Sequence, residues 1–101
     1  MTGPNEIVHQ SVRLKIMAAL NVLPQDASIE FTRLKALIHA TDGNLGAHLE
    51  TLDRAGYVAI EKLFLGNKPQ TRIKATPAGR RAFAEHVAYL RQILGDSETP
   101  R

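Results

Sequence analysis

Apolar positions follow a helical period through the first half of the chain and change to a strand-like period near Tyr57. From about Asn5 to Leu20, Ile16, Met17 and Leu20 fall on one side of a helical wheel, and Ile7, Leu14 and Ala18 on the other. Pro24 marks the exit loop. A helix that is apolar on two sides needs two partners: its own domain supplies one, and a second subunit is open as the other. His9 and Arg13, four apart on the first apolar side, predict a structural pair hydrogen-bonded to a carboxylate. Ser28-Ile29-Glu30 reads as a short extended stretch, and Phe31, Leu34, Leu37 and Ile38 mark a second helix. His39-Ala40-Thr41-Asp42 is a tight break with Thr41 or Asp42 as the next N-cap. A third helix over 41–55 places Leu45, Leu49 and Leu52 at i, i+4 and i+7, and Gly56 stops it.

The segment 57–76 then reads as a β-hairpin: YVAIEKLFL, a five-residue loop Gly66-Asn-Lys-Pro-Gln70, and TRIKA. Its first strand alternates imperfectly, because Tyr57, Val58 and Leu63 to Leu65 are all apolar. On the second, Arg72 and Lys74 share one face and Ile73 takes the other. Thr76-Pro77 opens a last helix, an N-cap followed by proline at the first helical position, which closes near Gly95. Phe83, Val87, Leu90 and Leu94 recur at i, i+4, i+7 and i+11, the spacing of a helix-packing seam that His86 and Ile93 widen.

With 101 residues the chain makes a single domain, expected over 1–95 with a frayed tail at 96–101. It has no Cys, which excludes a disulfide staple, a thiolate metal site and a nucleophilic thiol. No uncharged apolar run approaches the ~20 residues of a membrane span. The N-terminus lacks a signal-peptide pattern, so a cytoplasmic protein is expected. Four scattered histidines, His9, His39, His48 and His86, form no local ligand motif, so neither a metal nor another cofactor is expected. Nor is there an H-E-x-x-H pair, a nucleophile elbow or a glycine-rich phosphate loop, and an enzyme is not expected. The net charge is only +3, but it is unevenly placed. Residues 57–81 hold Lys62, Lys68, Arg72, Lys74, Arg80 and Arg81 against Glu61 alone. Residues 26–56 are acidic on balance, with Arg33, Lys35 and Arg54 against Asp26, Glu30, Asp42, Glu50 and Asp53. An anionic partner should meet the basic block.

Two helices joined by a short turn and followed by a basic hairpin make a winged helix-turn-helix plan. It is mainly α with a small β-hairpin wing, in the order α-β-α-α-β-β-α, with long first and last helices for dimerisation. In this plan the second helix of the motif enters the DNA major groove. HQSVRLKIMAAL, LKALIHATDGNLGAHLETLDRAGYV and KPQTRIKATPAGR resemble the MarR-like and ArsR-like winged-helix transcriptional regulators, over roughly residues 7–94. The likeness is to compact members that consist of little but the DNA-binding domain. It implies a homodimer on pseudo-palindromic double-stranded DNA, acting as a repressor, with the first and last helices at the dimer interface. Phe83, Val87, Leu90, Ile93 and Leu94 are then the interface residues. A small-molecule effector near the dimer cleft is allowed by the likeness, and no residue identifies one. Metal sensing through Cys and His, common among ArsR relatives, is not carried over to a chain without Cys.

The outward face of the third helix carries Gly43, Ala47, Glu50 and Arg54, flanked by Asn44 and Thr51, with His48 at the border. Base contacts come mostly from the N-terminal part of such a helix, which selects Gly43, Asn44, Ala47 and His48. Asn44 can pair bidentately with adenine, and Ala47 offers contact with a thymine methyl. Thr41 and the amides of Gly43 and Asn44 stand where a phosphate is favoured. On the hairpin, Lys68 at the tip with Arg72 and Lys74 suit phosphate or minor-groove contacts. His48 reads equally as a reader or as a half-buried structural histidine; Glu50 reads as an acceptor from cytosine or as a solvated side chain. Arg80 and Arg81 read as helix surface. The reading face is sparse, so discrimination is expected to be weak or to lean on DNA shape. That sparseness, with the acidic balance of 26–56, leaves a second reading open: a winged-helix protein-interaction module that does not bind DNA.

Overall fold

A computed structural model of the chain describes residues 4–95. The elements are α1 (Glu6–His9), α2 (Ser11–Asn21), β1 (Ile29–Glu30), α3 (Phe31–Ile38), α4 (Asp42–Arg54), β2 (Val58–Leu65), β3 (Lys68–Ala75) and α5 (Pro77–Gly95). The expected order is present, with one break: the first helix is two. Asn5 caps α1, its side-chain oxygen accepting from the amides of Ile7 and Val8 at 3.0 Å. Gln10 then takes an extended ψ of 135° and caps α2 by accepting from Arg13 N. A glutamine whose side chain accepts from an early amide of the new helix replaces one of the bonds lost at the break. The expected frayed tail at 96–101 lies outside the described residues.

The three strands form an antiparallel sheet in the order β1-β3-β2. Ile29 pairs with Ile73, and Ile60 pairs with Ile73 from the other side. The β2–β3 connection is shorter than the expected five-residue loop. Leu65 pairs with Lys68, so only Gly66 and Asn67 turn the chain, with Gly66 at φ 63°. Two-residue hairpin turns need a positive φ at the first loop position, which glycine adopts without strain. Pro69 lies opposite Phe64, beyond the Arg72–Ile73 stretch that pairs with β1, so β3 is flanked there on one side only, the setting in which proline is tolerated in a sheet.

Val8, Ile16, Met17, Leu20, Leu34, Leu45, Leu49, Leu52 and Ile73 fill the core. The expected Leu45/Leu49/Leu52 stripe is the buried face of α4. The helix ends in paired bonds from Gly56 N to Asp53 O and from Tyr57 N to Leu52 O, the Schellman pattern. On α5 the buried residues are Gly79, Ala82 and His86, so the apolar seam is rotated away from the core. Phe83 packs partly against the core, while Ile93 and Leu94 are exposed.

The polar residues of the first helix find partners other than the expected carboxylate. Arg13 donates through Nε to Ile7 O and lies with Nη1 3.1 Å from His48 Nδ1. His9 Nδ1 lies 3.2 Å from Nε2 of the buried His86. His86 Nδ1 accepts from Asn5 N, so its hydrogen sits on Nε2 and points to His9. Arg80, read as helix surface, is half-buried and donates to Asn21 O, Leu23 O and Pro24 O. It satisfies carbonyls left open where α2 ends.

Candidate nucleic-acid interface

The break between α3 and α4 sets the angle of the second helix. His39 closes α3 in the left-handed region, at φ 58° and ψ 47°. Thr41 opens α4, its hydroxyl accepting from Asn44 N at 3.1 Å. That bond occupies one of the two amides expected to meet a phosphate and leaves the Gly43 amide at the same helix end. Lys35 of α3 pairs with Asp42 in the first turn of α4. The pair neutralises the carboxylate that would otherwise repel an anion at this end.

Burying Leu45, Leu49 and Leu52 turns Thr41, Gly43, Asn44 and Ala47 outward, and all four are exposed. Thr51 is half-buried, and its hydroxyl donates back to Ala47 O at 3.4 Å. Glu50 lies 3.8 Å from Arg54, an exposed pair one turn apart. His48 is half-buried and accepts from Arg13, which leaves its Nε2–H as the remaining donor. Burial first, and the Arg13 charge second, lower its pKa below the ordinary 6.5. His48 therefore borders the exposed face as a neutral, oriented imidazole.

The hairpin presents its two faces differently. Val58, Ile60, Lys62 and Phe64 alternate onto one face with Pro69, Thr71, Ile73 and Ala75 opposite them. This face meets α4 across a shallow groove of about 340 Å³ lined by Phe31, Gly46, Leu49, Ile60, Lys62 and Thr71. Arg72 and Lys74 lie on the other face, opposite Glu61 and Ala59. Arg72 donates to Ser28 Oγ at 2.7 Å and Ser28 O at 2.8 Å, with Gln70 Oε1 at 3.3 Å. Lys74 lies 3.9 Å from Asp26 in an exposed, weak pair. Lys68 is exposed beside the turn. Lys62, which belongs to the basic block but not to the expected contacts, is exposed on the α4 side; strand alternation from Val58 was the signal that could have found it.

At the root of the wing, Thr76 N donates to Tyr57 O and Thr76 Oγ1 donates to Gly56 O at 2.6 Å. The same hydroxyl accepts from Gly79 N and so caps α5. Gly79 sits so close to Tyr57 O that a Cβ there would lie 2.0 Å from it. The Thr-Pro-x-Gly sequence thus fixes the end of α4, the start of β2 and the start of α5 to one another.

Among the described residues no group of three or more His, Cys, Asp or Glu side chains is placed to hold a metal ion. No described helix is long and apolar enough to cross a membrane.

Residues 12–94 match the family of winged helix DNA-binding domains. The chain is 36% identical over 93 residues to an uncharacterised protein of Methanocaldococcus jannaschii, covering 92% of this chain and 98% of that one. A transcriptional regulator homologue from Pyrococcus horikoshii superimposes with a TM-score of 0.83 at 24% identity, over 94% of this chain and 91% of that one. A MarR-family transcriptional regulator from Silicibacter pomeroyi gives 0.62 at 19% identity, over 94% of this chain and 63% of the other. The family is one of DNA-binding domains, and the solved structures share its fold. Capped α4, the hairpin beside it and the matched span agree: the chain belongs to the family of winged helix DNA-binding domains and has the fold of MarR-type transcriptional regulators.

Proposed function

We propose that the chain is a repressor that binds pseudo-palindromic double-stranded DNA as a homodimer, with α4 in the major groove and the hairpin on the backbone or minor groove. The observation that carries this reading is the exposed N-terminal face of α4 together with two exposed lysines of the wing, Lys62 on the α4 side and Lys68 beside the turn. Asn44, Ala47, His48 and Thr51 face the base edges, and Thr41 and Gly43 stand at a phosphate. Lys68 meets the backbone, and Lys74, only weakly paired, adds a second cation. Arg72 braces the wing against Ser28.

Residues 1–95 act as one domain that dimerises through its terminal helices. Val87, Leu90, Ile93 and Leu94, with Phe83, supply the apolar seam. A groove of about 610 Å³ along α5, lined by Phe83, Ala84, Val87, Ala88 and Arg91, supports a partner helix there. A small-molecule effector, expected near the dimer cleft, finds a cavity of suitable size elsewhere, in the groove between α2 and α3. It holds about 560 Å³ and is lined by Ala18, Val22, Ile29, Leu37 and the cations Lys15 and Arg33. The site of action is the cytoplasm, where a DNA-bound repressor works.

Selection of bound duplexes from a random pool tests the reading. The expected result is an inverted repeat with half-sites about one helical turn, roughly 10 bp, apart, bound with an affinity that falls steeply with salt. No enrichment, and no duplex bound at low ionic strength, would refute it in favour of a protein-interaction module.

A further inference from the structure

The wing ends in two large apolar side chains left open to solvent, Phe64 at 70% exposure and Leu65 at 57%. Adjacent strand residues point to opposite faces, so the tip is apolar on both. Phe64 shares the α4-facing side with Ile60 and Lys62 and stands opposite Pro69; Leu65 stands opposite Lys68. At about 3.3 Å per strand residue, Phe64 lies roughly 13 Å beyond Ile60, which lines the contact with α4. The phenyl ring therefore overhangs the side of the domain that carries α4.

The charges around the tip define what could cover it. Lys62 lies two residues back on the same face, and Lys68, paired with Leu65, lies on the other face beside the turn; both are exposed. Glu61, the acidic residue of the hairpin, is on the opposite face across from Arg72. An apolar wedge flanked by cations fits a polyanion with an apolar stacked interior, which is duplex DNA entered from the minor groove. The α4 face adds a reason: Gly43 and Ala47 offer no hydrogen-bonding side chain, so direct readout rests on few residues and a second source of discrimination would add to it. Sequence-dependent ease of unstacking is one, and pyrimidine–purine steps such as TA yield most readily.

We propose that Phe64, backed by Pro69 and Leu65, inserts as an apolar wedge at a flexible base step in the minor groove beside the half-site read by α4. Lys62 and Lys68 hold the phosphates on either side. The inference rests on the DNA-binding reading above and is tested so that the two fail separately.

The chain has no Trp, so Phe64→Trp makes the tip the only indole in the protein. The full chain carrying F64W is titrated with an alternating d(TA) duplex while anisotropy of the labelled duplex reports binding. Strong quenching of the indole, saturating together with the anisotropy and weaker with an alternating d(CG) duplex, is expected. Phe64→Ala should bind the d(TA) duplex about tenfold more weakly. Its salt dependence should stay that of the unsubstituted protein, because no phosphate contact is lost. Because Phe64 is exposed, the variant should keep its far-UV circular dichroism. An unchanged indole emission at anisotropy saturation overturns the wedge and leaves DNA binding intact. Emission that shifts with protein concentration in the absence of DNA also overturns it, assigning the tip to a second copy. No anisotropy change with any duplex removes both readings.

Discussion

Gly79→Ala should unfold the domain more easily, although the same exchange ordinarily stabilises a helix. Replacing Gly by Ala inside a helix typically gains up to about 1 kcal/mol. Here the new methyl would lie 2.0 Å from Tyr57 O, 2.8 Å from the Tyr57 carbonyl carbon and 3.0 Å from its Cα. The obstacle is backbone, not a side chain that can swing aside, so the start of α5 must retreat from Tyr57. Retreat strains the bonds from Thr76 N to Tyr57 O at 3.0 Å and from Thr76 Oγ1 to Gly56 O at 2.6 Å. Overpacking costs about 1–3 kcal/mol, and each weakened hydrogen bond about 1 kcal/mol. Offset by the helix gain, the net loss is about 2–4 kcal/mol. For a domain of this size that lowers Tm by roughly 10–25 °C. Thermal unfolding followed by far-UV circular dichroism, at one fixed protein concentration because dimers melt with concentration, measures it. Gly46→Ala is the control: beyond its chain neighbours and its own helix backbone no atom lies within 4 Å of the added Cβ, and it should hold or raise Tm. A Gly79→Ala protein that melts with the unsubstituted one would refute the close approach of α5 to Tyr57.

Acidification should destabilise the fold. Burial, then the neighbouring His9, lowers the His86 pKa below 6.5, and burial, then Arg13, lowers that of His48. A depressed folded-state pKa means the stability is fully present above pH 6.5 and is lost as pH falls through the folded-state values. Urea unfolding at a series of pH values should show this, and His86→Gln with His48→Gln should flatten it; an unchanged pH slope in the double variant would count against both assignments. Arg80→Ala removes three donations to the end of α2 and should cost about 2 kcal/mol, seen as a lower urea midpoint at unchanged slope. Leu90→Glu with Ile93→Glu charges the outward seam of α5 without touching its buried residues. Sedimentation should then report monomers of native helix content, whereas a dimer that persists would place the interface elsewhere.

Local rules made much of the site readable from the residues. Leu45, Leu49 and Leu52 at helical spacing forced Gly43, Asn44 and Ala47 outward whatever packed beneath them. Thr41, Gly56 and Thr76-Pro77 bound their helices through side-chain or backbone conformations that depend on a few neighbours. The hairpin was legible as a hairpin, but its turn was not: Pro69 argues for loop until the register shows that it sits at paired Phe64.

The roles of the long polar side chains were beyond reach, because those depend on residues distant in the chain. Arg72 and Ser28 are separated by 44 positions, His9 and His86 by 77, and Arg80 and Leu23 by 57. Charge counting treated Arg72 like Lys68, although one is held by Ser28 and the other is exposed beside the turn.

By itself, then, the order of residues determined the elements, the inward stripe of α4 and the basic character of the wing, since periodicity and capping act within a few residues. Which cations of that wing remain available, which face of α5 is left outward and which face of the wing meets α4 were decided only by tertiary packing. A side chain's partner is fixed by where the fold brings other segments, and no local pattern contains that information.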